Sequence, residues 1–263
     1  MRTIWLHDRA EILAALSADR ALHLYALGDL DDFFFPHTLW YALEDEGRVR
    51  QLVLVYTGAS LPVIQALTPE SGVREMRSLV RAMLPLLPRR LYAHASPGVA
   101  EELADAYDLS PHGLHRKMVL RDPSRLDAVD TSGAEPLGPA DRAEIDALYA
   151  AAYPGNWFDA RMLETGCYVG VREAGRLVSI AGIHVYSPTY RVAALGNVTT
   201  LPEMRGRGLA ARATAALCRR LLRDCDVIGL NVLADNGAAI SVYERLGFEI
   251  VASYDEVSAD LRC

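Results

Sequence analysis

The sequence predicts an α/β protein of layered α+β type, with a mixed, mostly antiparallel central sheet flanked by helices and the fold repeated in two tandem copies. Three observations support this prediction. Short apolar, partly alternating runs follow one another with hairpin-like loops between them, "DEGR" and "TGAS" in the first half. Longer runs with apolar residues at helical spacing separate these strands. Both halves show the same order: a strand or helix, three strands, then helix, strand, helix and strand.

The first half opens with a short strand, "IWL". Two helices follow in "HDRAEILAALSADRALHLYALGDL", with a break near Ser17 and an end at Gly28. Three strands come next, in "TLWYALE", "RQLVLVYTG" and "LPVIQALT". The run "GVREMRSLVRAMLPLL" places its apolar residues on one helical face. A strand "RLYAHAS", a helix "PGVAEELADAYD" and a strand "HRKMVLRD" end this half.

The segment "DPSRLDAVDTSGAEPLGPADR" is rich in Pro, Asp, Ser and Gly, which is typical of a linker. We therefore predict an N-terminal domain over residues 1–130 and a second domain over residues 131–263. The second half then shows a helix "ADRAEIDALYAAAY" and the strands "CYVGVRE", "RLVSIAGIHVYS" and "RVAALGNVTT", with a turn at Ala174 and Gly175 between the first two strands. A helix to Arg223, a strand "VIGLNVL", a helix "NGAAISVYERLG" and a strand "EIVASYDEVSADL" follow. The first of these helices has apolar residues at i, i+4 spacing: Leu209, Ala213, Leu217 and Leu221.

Composition excludes several classes of protein. The formal net charge is −7 and the pI is near 5.5. This charge argues against a general nucleic-acid binder, which needs a basic surface to displace counterions from phosphates. The four cysteines never form a CxxC pair, so we expect neither a zinc ribbon nor a disulfide framework; they are Cys167, Cys218, Cys225 and Cys263. No run approaches the roughly 20 apolar residues of a membrane span, and we expect a cytoplasmic protein without a metal.

The stretch "RGRGLA", Arg205 to Ala210, lies between a β-branched run and an alanine-rich helical pattern. Closely spaced glycines allow the backbone to turn sharply and approach a ligand. At a helix start, the unpaired N–H groups and the helix dipole favour an anion. The stretch matches neither the P-loop, since it lacks the lysine, nor the dinucleotide fingerprint. From the residues alone, either an anion cradle or an exposed turn before an amphipathic helix fits.

The stretch "VTTLPEMRGRGLA" resembles the acyl-CoA-binding motif of the GNAT superfamily of N-acetyltransferases, Gln/Arg-x-x-Gly-x-Gly/Ala directly after a strand. Arg205, Gly208 and Ala210 match it. Downstream, "LNVLADNGAAISVYERLGFEIV" is similar to the family's later motif, Asn-x-x-Ala-x-x-x-Tyr-x-x-x-Gly-Phe. The matching residues are Asn236, Ala239, Tyr243, Gly247 and Phe248. The two motifs occur in the family's order, and the resemblance covers about residues 135 to 260.

The resemblance implies a GNAT-like fold and a site for acetyl-CoA or another acyl-CoA. The fourth strand would splay from the fifth and pair its backbone with the pantetheine arm at Val198, Thr199 and Thr200. The pyrophosphate would be held by the N–H groups of Arg205, Gly206, Arg207, Gly208, Leu209, Ala210 and Ala211. Asn236 and Ala239 would lie near the pantetheine.

Acetyl transfer from a thioester to an amine needs a deprotonated amine, a polarised carbonyl and a proton for the departing thiolate. The resemblance places Tyr243 by the thioester sulfur as proton donor; packing of the last helix on the sheet is the other reading. The strand "RVAALGNVTT" has no carboxylate to act as base. His184 on the preceding strand is the candidate base, since imidazole titrates near neutral pH. It is otherwise a packed or surface residue, and Asn197 is the alternative group to orient a water.

The leading hypothesis is an N-acyltransferase that transfers acetyl from acetyl-CoA to a primary amine of a small molecule or peptide, by direct attack in a ternary complex. The alternative is a CoA-binding sensor or scaffold without turnover. Where the second half has its glycine loop, the first half has "TPESGVREMRSLV", without the closely spaced glycines. We therefore expect a degenerate first copy and one cofactor site, in residues 131–263.

Overall fold

Residues 1 to 262 are described by the computed structural model, and they divide into two units. Unit 1 comprises residues 1–117, 232–235 and those from 250 onward, and unit 2 comprises residues 118–231 and 236–249. The strands are β1 (Arg2–Leu6), β2 (Thr38–Asp45), β3 (Arg48–Tyr56), β4 (Val63–Ala66), β5 (Arg90–Ala95), β6 (Tyr107–Leu120), β7 (Ala134–Pro136), β8 (Val169–Glu173), β9 (Arg176–Ser187), β10 (Val192–Thr200), β11 (Val227–Leu233) and β12 (Phe248–Leu261). The α-helices are α1 (Arg9–Leu16), α2 (Leu24–Gly28), α3 (Val73–Met83), α4 (Arg142–Ala152), α5 (Leu209–Leu221) and α6 (Gly237–Arg245).

The sheet of unit 1 has the strand order β1-β2-β3-β4-β5-β12-β6. Strands β1 to β4 pair antiparallel, β4 pairs parallel with β5, and β5 pairs antiparallel with β12. Glu46 and Gly47 both have positive φ, the conformation that a two-residue hairpin turn requires between β2 and β3. Helix α3 packs its apolar face, with Met76 and Leu79 fully buried, on the core of this sheet. The last strand of the chain therefore completes the sheet of the first unit.

The sheet of unit 2 has the order β11-β10-β9-β8-β7. Its pairs are antiparallel except for β10 and β11, which run parallel. The predicted turn at Ala174 and Gly175 joins β8 to β9, and both residues have positive φ. Helices α4 and α5 pack on β9 and β10. Helix α5 buries Leu209, Ala213, Leu217 and Leu221, one apolar face at the predicted i, i+4 spacing.

The mixed, mostly antiparallel sheet with flanking helices confirms the predicted fold class. One predicted helix is wrong: "PGVAEELADAYD" forms a short 3₁₀ helix, Ala100–Asp105, instead of an α-helix. The segment is a connection bounded by Gly98, which has a φ of +83°, and by β6, which begins at Tyr107; short 3₁₀ helices are frequent in such connections. The domain boundary at residue 130 stays a prediction.

The cysteines carry no crosslink among residues 1–262. Cys167, Cys218 and Cys225 are buried free thiols, and Cys263 lies outside the described residues. Burial raises the pKa of the Cys218 thiol, which packs as a small apolar group inside α5. Within the same residues, no helix has the length and apolar character of a bilayer span.

Candidate functional site

Strand β10 leaves its neighbour β11 halfway along its length. The two strands pair from Val192–Val227 to Leu195–Leu230, and from Gly196 to Thr200 β10 continues with β9 as its partner. The side of β10 that faced β11 therefore carries backbone groups without a strand partner in the described part of the chain. This is the splay that the resemblance implies for an extended, amide-rich ligand arm.

The glycine-rich turn follows directly at the end of β10. Gly206 and Gly208 have φ of 77° and 76°, a left-handed conformation that other residues adopt only at a cost. A Cβ built at either glycine would meet no heavy atom within 4 Å in residues 1–262, so both face open space. Gly208 is the N-cap of α5, and no side chain of the described residues caps this helix. The first N–H groups of a 13-residue helix are thus without a side-chain cap and next to open space, an arrangement suited to an anion.

The side chains of two arginines in the turn contact other residues of the protein. The Arg205 Nε donates a hydrogen bond to the Thr200 carbonyl oxygen at 3.2 Å, which ties the turn to the end of β10. The Arg207 guanidinium forms a 3.0 Å ion pair with Glu173. Both side chains are largely exposed, so these contacts contribute little to stability. Backbone N–H groups are therefore the main candidates to hold an anion at this turn.

A β-bulge shapes β10 at the point of divergence. The register with β9 shifts between Gly196 and Thr199, and Asn197 within the bulge has a φ of 56°. The Tyr149 hydroxyl donates to the Asn197 carbonyl oxygen at 2.9 Å, and Asn197 Nδ2 donates to the Tyr168 hydroxyl oxygen at 3.0 Å. Burial raises the pKa of both tyrosines, so both keep their protons. Tyr149 and Tyr168 are not among the site residues that the sequence predicts.

The candidate base His184 lies beside the same bulge. A Cβ at Gly196 would be 2.1 Å from His184 Cδ2, so the imidazole ring packs directly on the backbone of Gly196. Gly182 pairs with Gly196, and a Cβ at Gly182 would meet the Tyr168 ring at 2.1 Å. Because paired residues of neighbouring strands point to the same face, the His184 and Tyr168 rings share one face of the sheet. Glycines at both positions are needed to accommodate these rings.

The candidate proton donor Tyr243 is 8% exposed, in α6. Its ring packs edge-to-face on Phe248, with centroids 5.8 Å apart. Burial raises the pKa of Tyr243, and the nearby Cys218 and Tyr153 add to the shift. The phenol therefore keeps its proton at neutral pH and is a hydrogen-bond donor.

The two remaining motif residues mark the start of α6. Asn236 is the N-cap, and its side-chain oxygen accepts a 3.2 Å hydrogen bond from the Ala239 N–H. Asn236 is exposed and Ala239 is partly buried. The asparagine oxygen therefore stabilises the helix end, and its predicted contact with the pantetheine stays a prediction.

Two aromatic residues before β8, Trp157 and Phe158, differ in their exposure. Phe158 packs against Tyr149 and Tyr168, with ring centroids 5.1 and 5.6 Å away, so it belongs to the core. Trp157 is 56% exposed and Tyr153 is 43% exposed. More than half of the Trp157 side chain is therefore exposed at the surface, unlike that of Phe158.

The corresponding region of unit 1 is closed. Every residue of β4 pairs with β5, and the pairing continues as Ser96 N–H donates to the Ala66 carbonyl at 3.0 Å. The Ser96 hydroxyl then bridges to the backbone of Thr68, accepting from its N–H and donating to its carbonyl, both at 2.9 Å. A Cβ at Gly72, before α3, would be 2.2 Å from the Thr68 hydroxyl. Unit 1 therefore has neither the splay nor the open glycine turn.

Comparison with known proteins agrees with this geometry. The model of the acetyltransferase (GNAT) family matches residues 136–248. The mycothiol acetyltransferase of Mycolicibacterium vanbaalenii is 32% identical over 270 residues, covering 92% of this chain and 84% of that protein. The mycothiol acetyltransferase of Mycolicibacterium gilvum is 28% identical over 277 residues, with the same coverage.

Solved structures show the same fold. A tandem GNAT protein from the clavulanic acid biosynthesis pathway has a TM-score of 0.56 at 18% identity, covering 98% of both chains. A GCN5-related N-acetyltransferase from Sphaerobacter thermophilus has a TM-score of 0.60 at 14% identity, covering 99% of this chain and 96% of that one. Because a relative is 32% identical to this chain over 92% of the chain, the chain belongs to the GNAT acetyltransferase family and is an acetyl-CoA-dependent N-acetyltransferase.

Proposed function

We propose that unit 2 binds acetyl-CoA between the splayed part of β10 and the glycine turn, and transfers its acetyl group to the primary amine of a small molecule in a ternary complex. The observation that carries this proposal is the open turn at Gly206 and Gly208, placed directly after the strand that has left β11. An extended arm with amide groups fits the edge of β10 that no longer pairs with β11 after Leu195, and a pyrophosphate fits the start of α5, which no side chain caps.

When bound, acetyl-CoA supplies an acetyl group that is already activated as a thioester. The N–H groups after the bulge orient the thioester, and a positioned N–H polarises its carbonyl. Holding both reactants in one geometry accounts for much of the acceleration. The Tyr243 hydroxyl donates a hydrogen bond to the departing sulfur; because burial raises its pKa, this donation stabilises the thiolate without complete proton transfer. His184, on the face shared with Tyr168, accepts the proton of the amine.

The acceptor we propose is a mycothiol-related amine, since relatives matched along 92% of this chain carry that activity in their names. The net charge of −7 favours a cationic acceptor over an acidic one. The free thiols Cys167, Cys218 and Cys225 fit a reducing, cytoplasmic compartment.

The test is release of coenzyme A thiol from acetyl-CoA with a panel of mycothiol-related amines, amino acids and peptides. We expect one class of small amine to raise the release above the hydrolysis background. His184→Gln should lower kcat and remove the acidic limb of its pH profile, because an uncharged amide cannot accept the proton. If acetyl-CoA binds but every acceptor leaves release at background, the chain is a CoA-binding sensor instead.

A further inference from the structure

Asn197 occupies an unusual position for a residue with a side chain. It has a left-handed φ of 56°, it is 4% exposed, and it lies in the bulge where β10 diverges from β11. A left-handed conformation costs about 1 kcal/mol or more for a residue other than glycine, although asparagine tolerates it best. Surrounding contacts must therefore hold this conformation in place.

Two buried tyrosines supply these contacts. The Tyr149 hydroxyl from α4 holds the backbone carbonyl of Asn197, and the Tyr168 hydroxyl accepts from its side-chain amide. Tyr168 in turn donates to the Ile183 carbonyl of β9 at 3.2 Å, and its ring packs on Gly182. The backbone carbonyl and the side-chain NH₂ group of Asn197 are thus held from two different elements, α4 and the segment before β8.

We propose that Tyr149, Tyr168 and Asn197 form a positioning clamp that holds the bulge and so directs the backbone of Val198 to Thr200 toward the acetyl-CoA arm. This inference rests on the proposed function of the site. A bulge residue changes the direction of the strand that follows it, so its conformation sets where the next N–H and C=O groups point. None of the three residues needs to contact the reacting atoms; they act through the strand.

The test compares Tyr149→Phe with Tyr107→Phe. Tyr107 is an equally buried tyrosine of unit 1 whose hydroxyl donates to the Pro88 carbonyl at 2.9 Å, the same type of bond. Both variants remove the hydroxyl of a buried tyrosine and its hydrogen bond to a backbone carbonyl, so we expect losses of thermal stability of the same order. Only Tyr149→Phe should raise the Kd for acetyl-CoA by calorimetry, about tenfold, with KM for acetyl-CoA rising in parallel. Only this variant should also speed amide hydrogen exchange at residues 196–200 of the protein without ligand.

Asn197 provides a second series if Tyr149→Phe fails to fold. Asn197→Gly keeps the left-handed backbone but loses the side-chain amide, whereas Asn197→Ala disfavours that backbone as well. We therefore expect the affinity for acetyl-CoA to be highest in the wild type, lower in Asn197→Gly and lowest in Asn197→Ala. If exchange at residues 196–200 and acetyl-CoA affinity match the wild type in Tyr149→Phe and Asn197→Ala, the clamp is refuted. A wild type that binds no acetyl-CoA refutes the proposed function instead, and the exchange rates still decide on the clamp.

Discussion

Lys117 is the only lysine of the chain, and it is 3% exposed in unit 1. Its Nζ lies 4.8 Å from the ring centroid of Tyr25 and 5.5 Å from that of Tyr254. Burial lowers the pKa of Lys117 from 10.5 to about 7, and Glu256 and Asp19 only partly oppose the shift. We predict that Lys117→Met stabilises unit 1, most strongly at low pH, because it removes a charge that folding must desolvate.

The magnitude follows from linkage between protonation and folding. The folded pKa lies below the unfolded value of 10.5, so the unfolded chain binds more protons between pH 7 and 10.5 and stability rises with pH in this window. The cost of burying the lysine is about 5 kcal/mol at pH 6 and about 2 kcal/mol at pH 9, at about 1.36 kcal/mol per pKa unit. Attraction to the two tyrosine rings is worth about 0.5 to 2 kcal/mol, too little to cancel it.

The assay is urea unfolding of the full chain at pH 6 and pH 9, followed by tryptophan fluorescence; of the three tryptophans only Trp40, in unit 1, is buried, at 2% exposure, so it should give the main change. The gain in unfolding free energy from Lys117→Met should be about 3 kcal/mol smaller at pH 9 than at pH 6. Packing of the methionine contributes equally at both pH values and does not affect this difference. Lys117→Arg is the matched control. Arginine stays charged at both pH values, so this variant does not gain the stability that the wild type gains as pH rises, and the difference between them grows. Because one lysine gives one resonance, ¹³Cε-labelled lysine reports its pKa directly. A resonance titrating near 10, or a pH-independent difference, refutes the reasoning.

Three further predictions concern the acyl-CoA site. Gly208→Val should raise the Kd for acetyl-CoA at least tenfold by calorimetry; Gly133→Val imposes the same strain, at a φ of 74° in open space, and should leave binding unchanged. Tyr243→Phe should lower kcat about 100-fold with unchanged acetyl-CoA affinity, whereas Tyr186→Phe, which removes a hydrogen bond to Asp224, should keep kcat. Calorimetry should give one acetyl-CoA per chain, because Ser96 closes the corresponding strands of unit 1; two sites of similar affinity contradict this.

Local patterns account for the parts of the fold that could be predicted. Hairpin loops, the amphipathic α3 and α5, and the turn at Ala174 and Gly175 each depend on residues close in sequence. The glycine turn could be predicted for the same reason, since the positive φ at positions 206 and 208 favours glycine at both. The position of β12 in unit 1 was not readable, because strand order depends on pairing between residues far apart in the chain.

The positioning residues of the site were missed for a similar reason. Tyr149 follows Ile145 and Leu148 on the buried face of α4, so its pattern indicates only a core residue. Its function depends on a hydroxyl that meets a carbonyl 48 residues away. The Gly196–Asn197 pair inside a strand was the one local signal, since such a pair is typical of a bulge. The Ser96 bridge that closes unit 1 likewise joins two loops and leaves no motif.

The placement of β12 between β5 and β6 has a consequence for biosynthesis. Tyr92 on β5 donates a hydrogen bond to Glu256 on β12, a partner 164 positions later in the chain. On the ribosome, β5 and β6 emerge long before the strand that separates them, so each exposes an unpaired edge while the rest is translated. Pairing over such a separation also slows folding. The nascent first half is therefore the stage at which these strand edges are open to pairing with other chains, and slower translation would prolong that exposure.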